Sequence, residues 1–125
     1  MKIALTSIPV DSPVKAFHFY TEILGFKEQL FTPEANLAVV VSPEDPNSTG
    51  LLLEPNDNPI YKEYQQGLYK QDLPVIVLGV EDIHKEYNHL KEKGVRFLGD
   101  PVQSEAGWTT VFDDTCGNYV QLHQV

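Results

Sequence analysis

The stretch that decides the fold covers residues 12–26 and reads SPVKAFHFYTEILGF. Ser12 is a good helix N-cap, because its hydroxyl accepts a hydrogen bond from a free N–H of the first turn, and proline fits the first helical position. Apolar side chains then recur at helical spacing, and these are Val14, Phe17, Tyr20 and Leu24. Gly25 ends the helix, since glycine adopts the left-handed conformation without strain. The pattern predicts a capped amphipathic helix that leads into a strand.

The same order of elements occurs twice along the chain. In the first half the composition predicts strands at residues 2–10, 26–31, 37–42 and 50–55 around this helix. In the second half it predicts strands at 74–80, 95–98, 108–112 and 119–124, and a helix that is capped by Glu81 or Asp82 and ended by Gly94. Residues 56–72, rich in Asn, Gln and Tyr, are predicted to be a linker with room for a short helix after Pro59.

This repeat predicts an α+β fold built from two strand–helix–strand–strand–strand modules. We expect module 1 at about residues 1–55, the linker at 56–72 and module 2 at about 73–125. Neither module can bury both of its faces alone, so the two are expected to pair in a single domain. A length of 125 residues agrees with one domain that has a core of its own.

Composition narrows the possible partners and location. A single cysteine excludes an internal disulfide and favours a reducing compartment, and no run is long enough for a signal peptide core or a membrane span. We therefore expect a cytoplasmic protein. A net charge of −9 argues against nucleic acid as a partner. The acidity serves either solubility, which is the commoner reason, or the attraction of cationic ligands.

The two halves resemble modules of the vicinal oxygen chelate superfamily, which includes glyoxalase I, bleomycin resistance proteins, extradiol dioxygenases and fosfomycin resistance enzymes. The resemblance rests on Val10-Asp11, Phe19-Tyr20 and LGF at 24–26, and on FDDTCGNYVQL at 112–122, where the family usually has Asp-Pro-x-Gly-Asn. It covers nearly the whole chain outside the linker. It implies paired βαβββ modules that form a curved mixed sheet around a cleft. It also implies a homodimer, in which the partner completes the cleft in some members.

The resemblance further implies where a metal ion would be held, on the first and last strands of each module. Those four positions carry Leu5, Glu54, Val75 and Gln121. A divalent ion needs three or four converging N, O or S donors, and aliphatic side chains supply none. The sequence therefore predicts a cleft with neither a metal nor another cofactor. This prediction argues against the glyoxalase I reaction and against iron-dependent ring cleavage.

Alternation along the strands predicts a mostly apolar wall with a few polar groups, as in small-molecule pockets. Glu54 is a candidate general base or cation anchor, or else a solvated carboxylate that ends a strand. His123 is a candidate acid/base partner, or else a frayed residue near the C-terminus. The candidate ligand-binding set is Leu5, Leu52, Glu54, Val75, Val77, Trp108, Tyr119, Gln121, His123, Tyr61 and Tyr64.

Three further members of this set, besides Glu54 and His123, carry alternative interpretations. Trp108 either stacks on a ligand or belongs to the core or a dimer contact. Tyr61 and Tyr64, with Tyr69, form either a lid or a layer packed over the sheet edge.

Three functions are compatible with these residues. The first is binding of a small organic molecule in a metal-free cleft, extended to metal-independent catalysis if Glu54 acts as a base and His123 or the tyrosines assist it. The second is a sequestering protein that confers resistance to a cationic antibiotic of the bleomycin type. The third, which ranks lowest, is a metal-dependent lyase or dioxygenase with relocated ligands. The sequence leaves open whether the protein is an enzyme.

Overall fold

The computed structural model describes residues 1–125 and contains two four-stranded sheets. Sheet 1 is formed by β1 (Leu5–Val10), β2 (Lys27–Thr32), β3 (Leu37–Val41) and β4 (Gly50–Pro55). Sheet 2 is formed by β5 (Pro74–Val80), β6 (Val102–Ser104), β7 (Gly107–Asp113) and β8 (Tyr119–Gln124). The strand orders are β1-β4-β3-β2 and β5-β8-β7-β6, with the first and last strands of each module parallel. The repeated α+β architecture expected from the sequence is confirmed.

The helices begin and end where the sequence signals lie. Helix α1 (Pro13–His18) continues into one π-helical turn (Phe19–Ile23), and α3 spans Ile83–Glu92. The Ser12 hydroxyl accepts a hydrogen bond from the Lys15 N–H at 3.3 Å, and Asp82 accepts one from the Lys85 N–H at 3.2 Å, so Asp82 caps α3. Both glycines that end these helices have φ +87°, in the left-handed region.

One segment, residues 95–98, differs from its prediction, and another, the linker, contains a longer helix than the short one that the sequence allowed after Pro59. The linker contains a three-turn helix, α2 (Pro59–Lys70), because Asn58 caps it through the Ile60 N–H and Pro59 occupies its first position. Residues 95–98 do not form a strand. Phe97 makes one isolated bridge to Phe112, and regular pairing with β7 starts only at Val102, beyond Pro101, which has no N–H to donate.

Two further differences concern element ends. The first strand begins at Leu5 rather than at residue 2, and the predicted single helix at 12–25 changes to π-helical geometry after His18. The structure has no helix that is both long and apolar enough to cross a membrane.

Helix α1 packs against β3 and β4 of sheet 1. One buried cluster joins Ala16, Phe17 and Tyr20 to the side chains of sheet 1 that point toward the helix, among them Ile8, Val40 and Leu53. A second cluster joins α3 to sheet 2 through Ile83, Leu90, Phe112, Val120 and Leu122. Phe19 and Leu24 contact both clusters, so the π-helical turn and the residue after it join the apolar cores of the two modules.

A buried polar network lies where the modules meet, centred on the carboxylate of Asp114, which is 0% exposed. It accepts hydrogen bonds from the Tyr20 hydroxyl at 2.7 Å, from the Asn118 side chain at 2.9 Å, and from the backbone N–H groups of Cys116 and Asn118. Burial raises the pKa of Asp114 although these hydrogen bonds oppose the effect. Burial also raises the pKa of the Cys116 thiol, to about 12, so the thiol is protonated at neutral pH.

Gln65 extends this network to α2. Its Nε2 donates to the carbonyl oxygens of Pro9 and Cys116 and to Asn118 Oδ1, and its Oε1 accepts from Asn56. The Asn118 side chain also donates to the Pro9 carbonyl at 2.8 Å. The network therefore ties α1, α2 and β1 to the turn before β8, and no buried side-chain N or O atom is left without a partner.

Candidate functional site

Each sheet has one face that lies away from its own module's helix, and we call it the open face. In sheet 1, Ile8, Leu51 and Leu53 point toward α1, so alternation places Leu5, Ser7, Leu52 and Glu54 on the open face. In sheet 2, Val120 and Leu122 point toward α3, so Val77, Tyr119, Gln121 and His123 lie on the open face. Val75, predicted to face the cleft, lies instead at an irregularity in the pairing of β5 with β8 and packs against the buried cluster of sheet 1. Seven of the eleven residues predicted to bind a ligand therefore lie on these two faces, and Val75, Trp108, Tyr61 and Tyr64 do not.

The open face of sheet 2 carries a short polar row beside apolar groups. Gln121 pairs with Val77 on one side and with Val111 on the other. His123 pairs with Gly79 and with Thr109 in the same way. The imidazole of His123 lies over Gly107, 3.8 Å from where a Cβ on that residue would be. The Gln121 amide and the His123 imidazole therefore lie on the same face of a regular strand, and residue 123 is not frayed.

The open face of sheet 1 is more apolar. Leu5 remains 51% exposed, and Leu52 pairs with Ser7 and with Val39. Glu54 is half-buried at the end of β4, opposite Pro9 of β1. Glu54 and His123 belong to different sheets and form no ion pair, so one chain does not bring the predicted acid/base couple together.

Helix α2 covers part of the open faces. The Tyr61 hydroxyl lies 2.7 Å from the Ser7 hydroxyl, which places Tyr61 beside β1. Tyr69 stacks on Tyr119 with ring centroids 4.4 Å apart and planes 4° from parallel. Tyr64 is 51% exposed and touches neither sheet through a hydrogen bond or a ring contact. Because Gln65 is held in the buried network and Tyr69 stacks on Tyr119, the C-terminal half of α2 is packed against the rest of the protein.

Trp108 lies on the other side of sheet 2. Its indole makes an edge contact with His84 of α3, with ring centroids 4.7 Å apart, and packs against the core cluster of that sheet. The ligand-stacking interpretation of Trp108 is therefore replaced by its alternative, a packing role. Successive side chains of β7 point to opposite faces of sheet 2. Thr109 pairs with His123 on the open face, so its neighbour Trp108 points to the helix side.

An ion pair between Arg96 and Asp113 lies at the end of β7, beside the open face of sheet 2. Arg96 and the Tyr69 hydroxyl both donate to Asp113 Oδ2 at 2.6 Å, and the Thr115 N–H donates to its Oδ1. Burial acts to raise the pKa of Asp113, but these three donors outweigh it and hold the pKa below its usual 3.8. The hydrogen bond to Asp113 raises the pKa of Tyr69. Asp113 is therefore an anion at neutral pH and Tyr69 a neutral phenol.

The four positions implied for a metal do not provide a ligand set. The side chains of Leu5 and Val75 have no donor atom, so these positions offer only one carboxylate, Glu54, and one amide, Gln121. No group of three or more His, Cys, Asp or Glu side chains is placed to hold an ion. These residues thus do not fit a divalent metal of the kind that the resemblance implies.

Sequence reasoning missed two sets of residues. Thr109 and Val111 flank Gln121 and His123 on the open face, and alternation within residues 108–112 was the signal that could have identified them. Gln65 and Asp114 are buried and polar at the module junction, and no local pattern marks them, because their partners are up to 94 residues away.

Comparison with known proteins places the chain among relatives over its whole length. The sequence model described as Glyoxalase/Bleomycin resistance protein/Dioxygenase superfamily matches residues 2–122. The protein YurT of Bacillus subtilis (strain 168) is 48% identical over 126 residues, which cover 99% of each chain.

Solved structures share the fold. UcmS2 superposes with a TM-score of 0.79 and 29% identity, over 98% of this chain and 96% of its own. TnmS3, an antibiotic binding protein from Streptomyces sp. CB03234, superposes with a TM-score of 0.77 and 25% identity, over 99% of this chain and 95% of its own. Both similarities therefore extend over the two sheets and α2.

Proposed function

Because the chain belongs to the Glyoxalase/Bleomycin resistance protein/Dioxygenase superfamily, we propose that it binds a small organic molecule against the open faces of its sheets. The observation that carries the proposal is the make-up of those faces. Apolar side chains such as Leu52, Val77 and Val111 surround a few polar groups, chiefly Gln121, His123 and Glu54. That mixture is typical of sites that bury an organic ligand and orient it by a small number of hydrogen bonds.

We propose that binding needs no metal ion or other cofactor, because the four positions implied for a metal carry only one ionisable side chain, Glu54. The similarity to TnmS3, described as an antibiotic binding protein, supports a sequestering role. An acidic chain with Glu54 on an apolar face suits a cationic ligand, as an antibiotic of the bleomycin type would be. We further propose the cytoplasm as its location, since the buried free thiol of Cys116 suits a reducing compartment.

Bleomycin is a suitable first probe, together with small aromatic amines and their carboxylate analogues. Titration should shift the methyl resonances of Leu52, Val77 and Val111. Glu54→Gln should weaken the binding of cationic probes several-fold, and Glu63→Gln, an exposed control on α2, should leave it unchanged. The proposal is wrong if the probes that bind perturb only methyl groups on the helix sides of the sheets.

The same variant separates the sequestering role from catalysis. For a binding protein, no probe should be turned over by the wild type, and Glu54→Gln should change affinity alone. If Glu54 is a catalytic base, turnover of a bound probe should be lost in the variant while its affinity stays nearly the same.

We also propose that two copies of the chain form a homodimer through these faces. In a single chain no other element faces most of the open faces. Large apolar side chains therefore remain exposed there, Leu5 by 51% and Val77 by 53%. Exposed apolar surface of this kind marks interaction sites. A second copy would supply the opposite wall of the cleft and enclose the ligand.

Sedimentation velocity tests the dimer directly. The wild type should sediment as a species of twice the chain mass, and Val77→Arg should shift it to the monomer, because the substitution places an unpaired cation in the apolar contact. Asn88→Arg adds the same charge on an exposed position of α3, away from this face, and should leave the dimer intact. A wild type that sediments as a monomer at all concentrations would contradict the proposal.

A further inference from the structure

A crevice on the helix side of the molecule is separate from the open faces. It has a volume of about 280 Å³ and lies where the end of the π-helical turn in module 1 meets β5 and the start of α3 in module 2. Its apolar lining is formed by Leu24, Phe26, Leu78, Leu90 and Leu122. None of the residues predicted to bind a ligand contributes to it. The crevice is therefore a second, independent concavity formed by both modules.

Carboxylates dominate the polar part of the lining. Glu44, Glu81, Asp82 and Glu86 face one cation, Lys85. None of these five side chains takes part in an ion pair, since the ion pairs of the chain are Lys15–Asp11 and Arg96–Asp113, and the His18–Glu22 contact involves none of the five. The crevice thus carries a local excess of negative charge that no side chain of the protein neutralises.

The helix explains only part of this charge. Asp82 caps α3, and Glu81 and Glu86 lie near its N-terminus, where the helix dipole favours anions. Glu44 has no such role, because it belongs to the loop after β3 in the other module. It lies at the crevice together with Ser42 and Pro43, and the Glu44 N–H donates to the Ser42 hydroxyl at 3.2 Å. Carboxylates from both modules therefore line the same crevice, beside its apolar residues.

We propose that this crevice binds a small organic cation, an ammonium group attached to a short hydrocarbon or aromatic body. The hydrocarbon part would lie on Leu24, Phe26 and Leu78, and the ammonium group would face Glu44 and Glu86. The volume is near the lower end of the roughly 300–1,000 Å³ of ligand pockets, so the ligand is a compact one. The net charge of −9 raises the concentration of cations near the surface. This proposal does not depend on the open faces.

Hexylammonium, hexanoate and hexanol form a matched set of probes that differ only in the charged or polar end. In methyl NMR titrations of the full chain, hexylammonium should saturate and shift the methyl groups of Leu24, Leu78 and Leu90. Hexanoate should not bind, and hexanol should bind more weakly than the cation. The double variant Glu44→Gln/Glu86→Gln should weaken hexylammonium binding roughly five-fold, because exposed ion pairs each contribute modestly.

The control variant Glu34→Gln/Glu92→Gln removes the same number of charges, one in each module, at exposed positions outside the crevice. Its affinity for hexylammonium should equal that of the wild type. The proposal is overturned if hexanoate binds as tightly as hexylammonium, if the control variant loses as much affinity as the crevice variant, or if no saturable shift appears. Shifts confined to Leu52 and Val77 would also overturn it, because they would place the cation on the open faces instead.

Discussion

Replacing Asp114 by alanine should lower the free energy of unfolding by about 4 kcal/mol, the largest effect that we expect from a single substitution in this chain. Three donors lose their only acceptor in a dry environment, the Tyr20 hydroxyl and the backbone N–H groups of Cys116 and Asn118. The Asn118 side-chain amide loses one of its two acceptors and keeps the Pro9 carbonyl. Each unsatisfied buried donor costs about 1–3 kcal/mol, and the relief of no longer burying a carboxylate offsets part of the sum. Since small domains are stable by only about 5–15 kcal/mol, much of the margin is lost.

Urea unfolding followed by circular dichroism measures this effect. Tyr20→Phe removes a single donor and should cost about 1–2 kcal/mol. Asp57→Ala, at an exposed carboxylate in the turn before α2, should stay within about 0.5 kcal/mol of the wild type. If Asp114→Ala proves as mild as Asp57→Ala, the network does not hold the modules together.

Replacing Gln65 by leucine should cost about 2–3 kcal/mol, although the shape and size of the side chain are nearly kept. The Pro9 and Cys116 carbonyl oxygens retain other donors, from Asn118 and from the Asp11 N–H. The Asn118 side-chain oxygen does not, because Gln65 Nε2 is its hydrogen-bond donor. The loss therefore comes from one orphaned buried acceptor, one lost contact to Asn56 and weaker anchoring of α2.

Thermal unfolding should show a midpoint lowered by roughly 8 °C for this substitution in a chain of such length. Gln66→Leu provides a control that is matched in chemistry and adjacent in sequence, and Gln66 is exposed. Its midpoint should change little. Equal effects at the two positions would mean that the helix surface, and not the buried hydrogen bonds, determines the stability of α2.

The elements that the sequence predicted correctly are those specified by neighbouring residues. Ser12, Pro13 and Gly25 act within one helix, and their counterparts Asp82 and Gly94 act within another. Alternation in residues 119–124 likewise predicted which side chains of β8 face the helices. Local signals of this kind need no knowledge of the rest of the fold.

The predictions that differ from the structure, and the alternatives that the sequence left open, depend on tertiary contacts. Residues 95–98 have a strand-like composition, yet they pair with β7 at one position only, Phe97 with Phe112. The regular pairing with β7 is made by residues 102–104 instead. The polar segment 56–72 lacks a strong apolar stripe, and α2 is stabilised by Gln65 and Tyr69, whose partners lie in β1, in β7 and before β8. The sequence left two interpretations of Trp108 open, because the face on which it lies depends on how β7 pairs with its neighbours. Each case depends on contacts between residues far apart in sequence.

The network at the module junction has a consequence for synthesis on the ribosome. The carbonyl of Pro9 and the N–H of Asp11, both in the first tenth of the chain, find partners in Asn118 and Cys116, close to its end. A nascent chain that has exposed only residues 1–72 holds every strand of sheet 1 but none of these partners. The first module to emerge is therefore completed only after residues 116–118 have left the ribosome, when the Pro9 carbonyl and the Asp11 N–H first meet these partners.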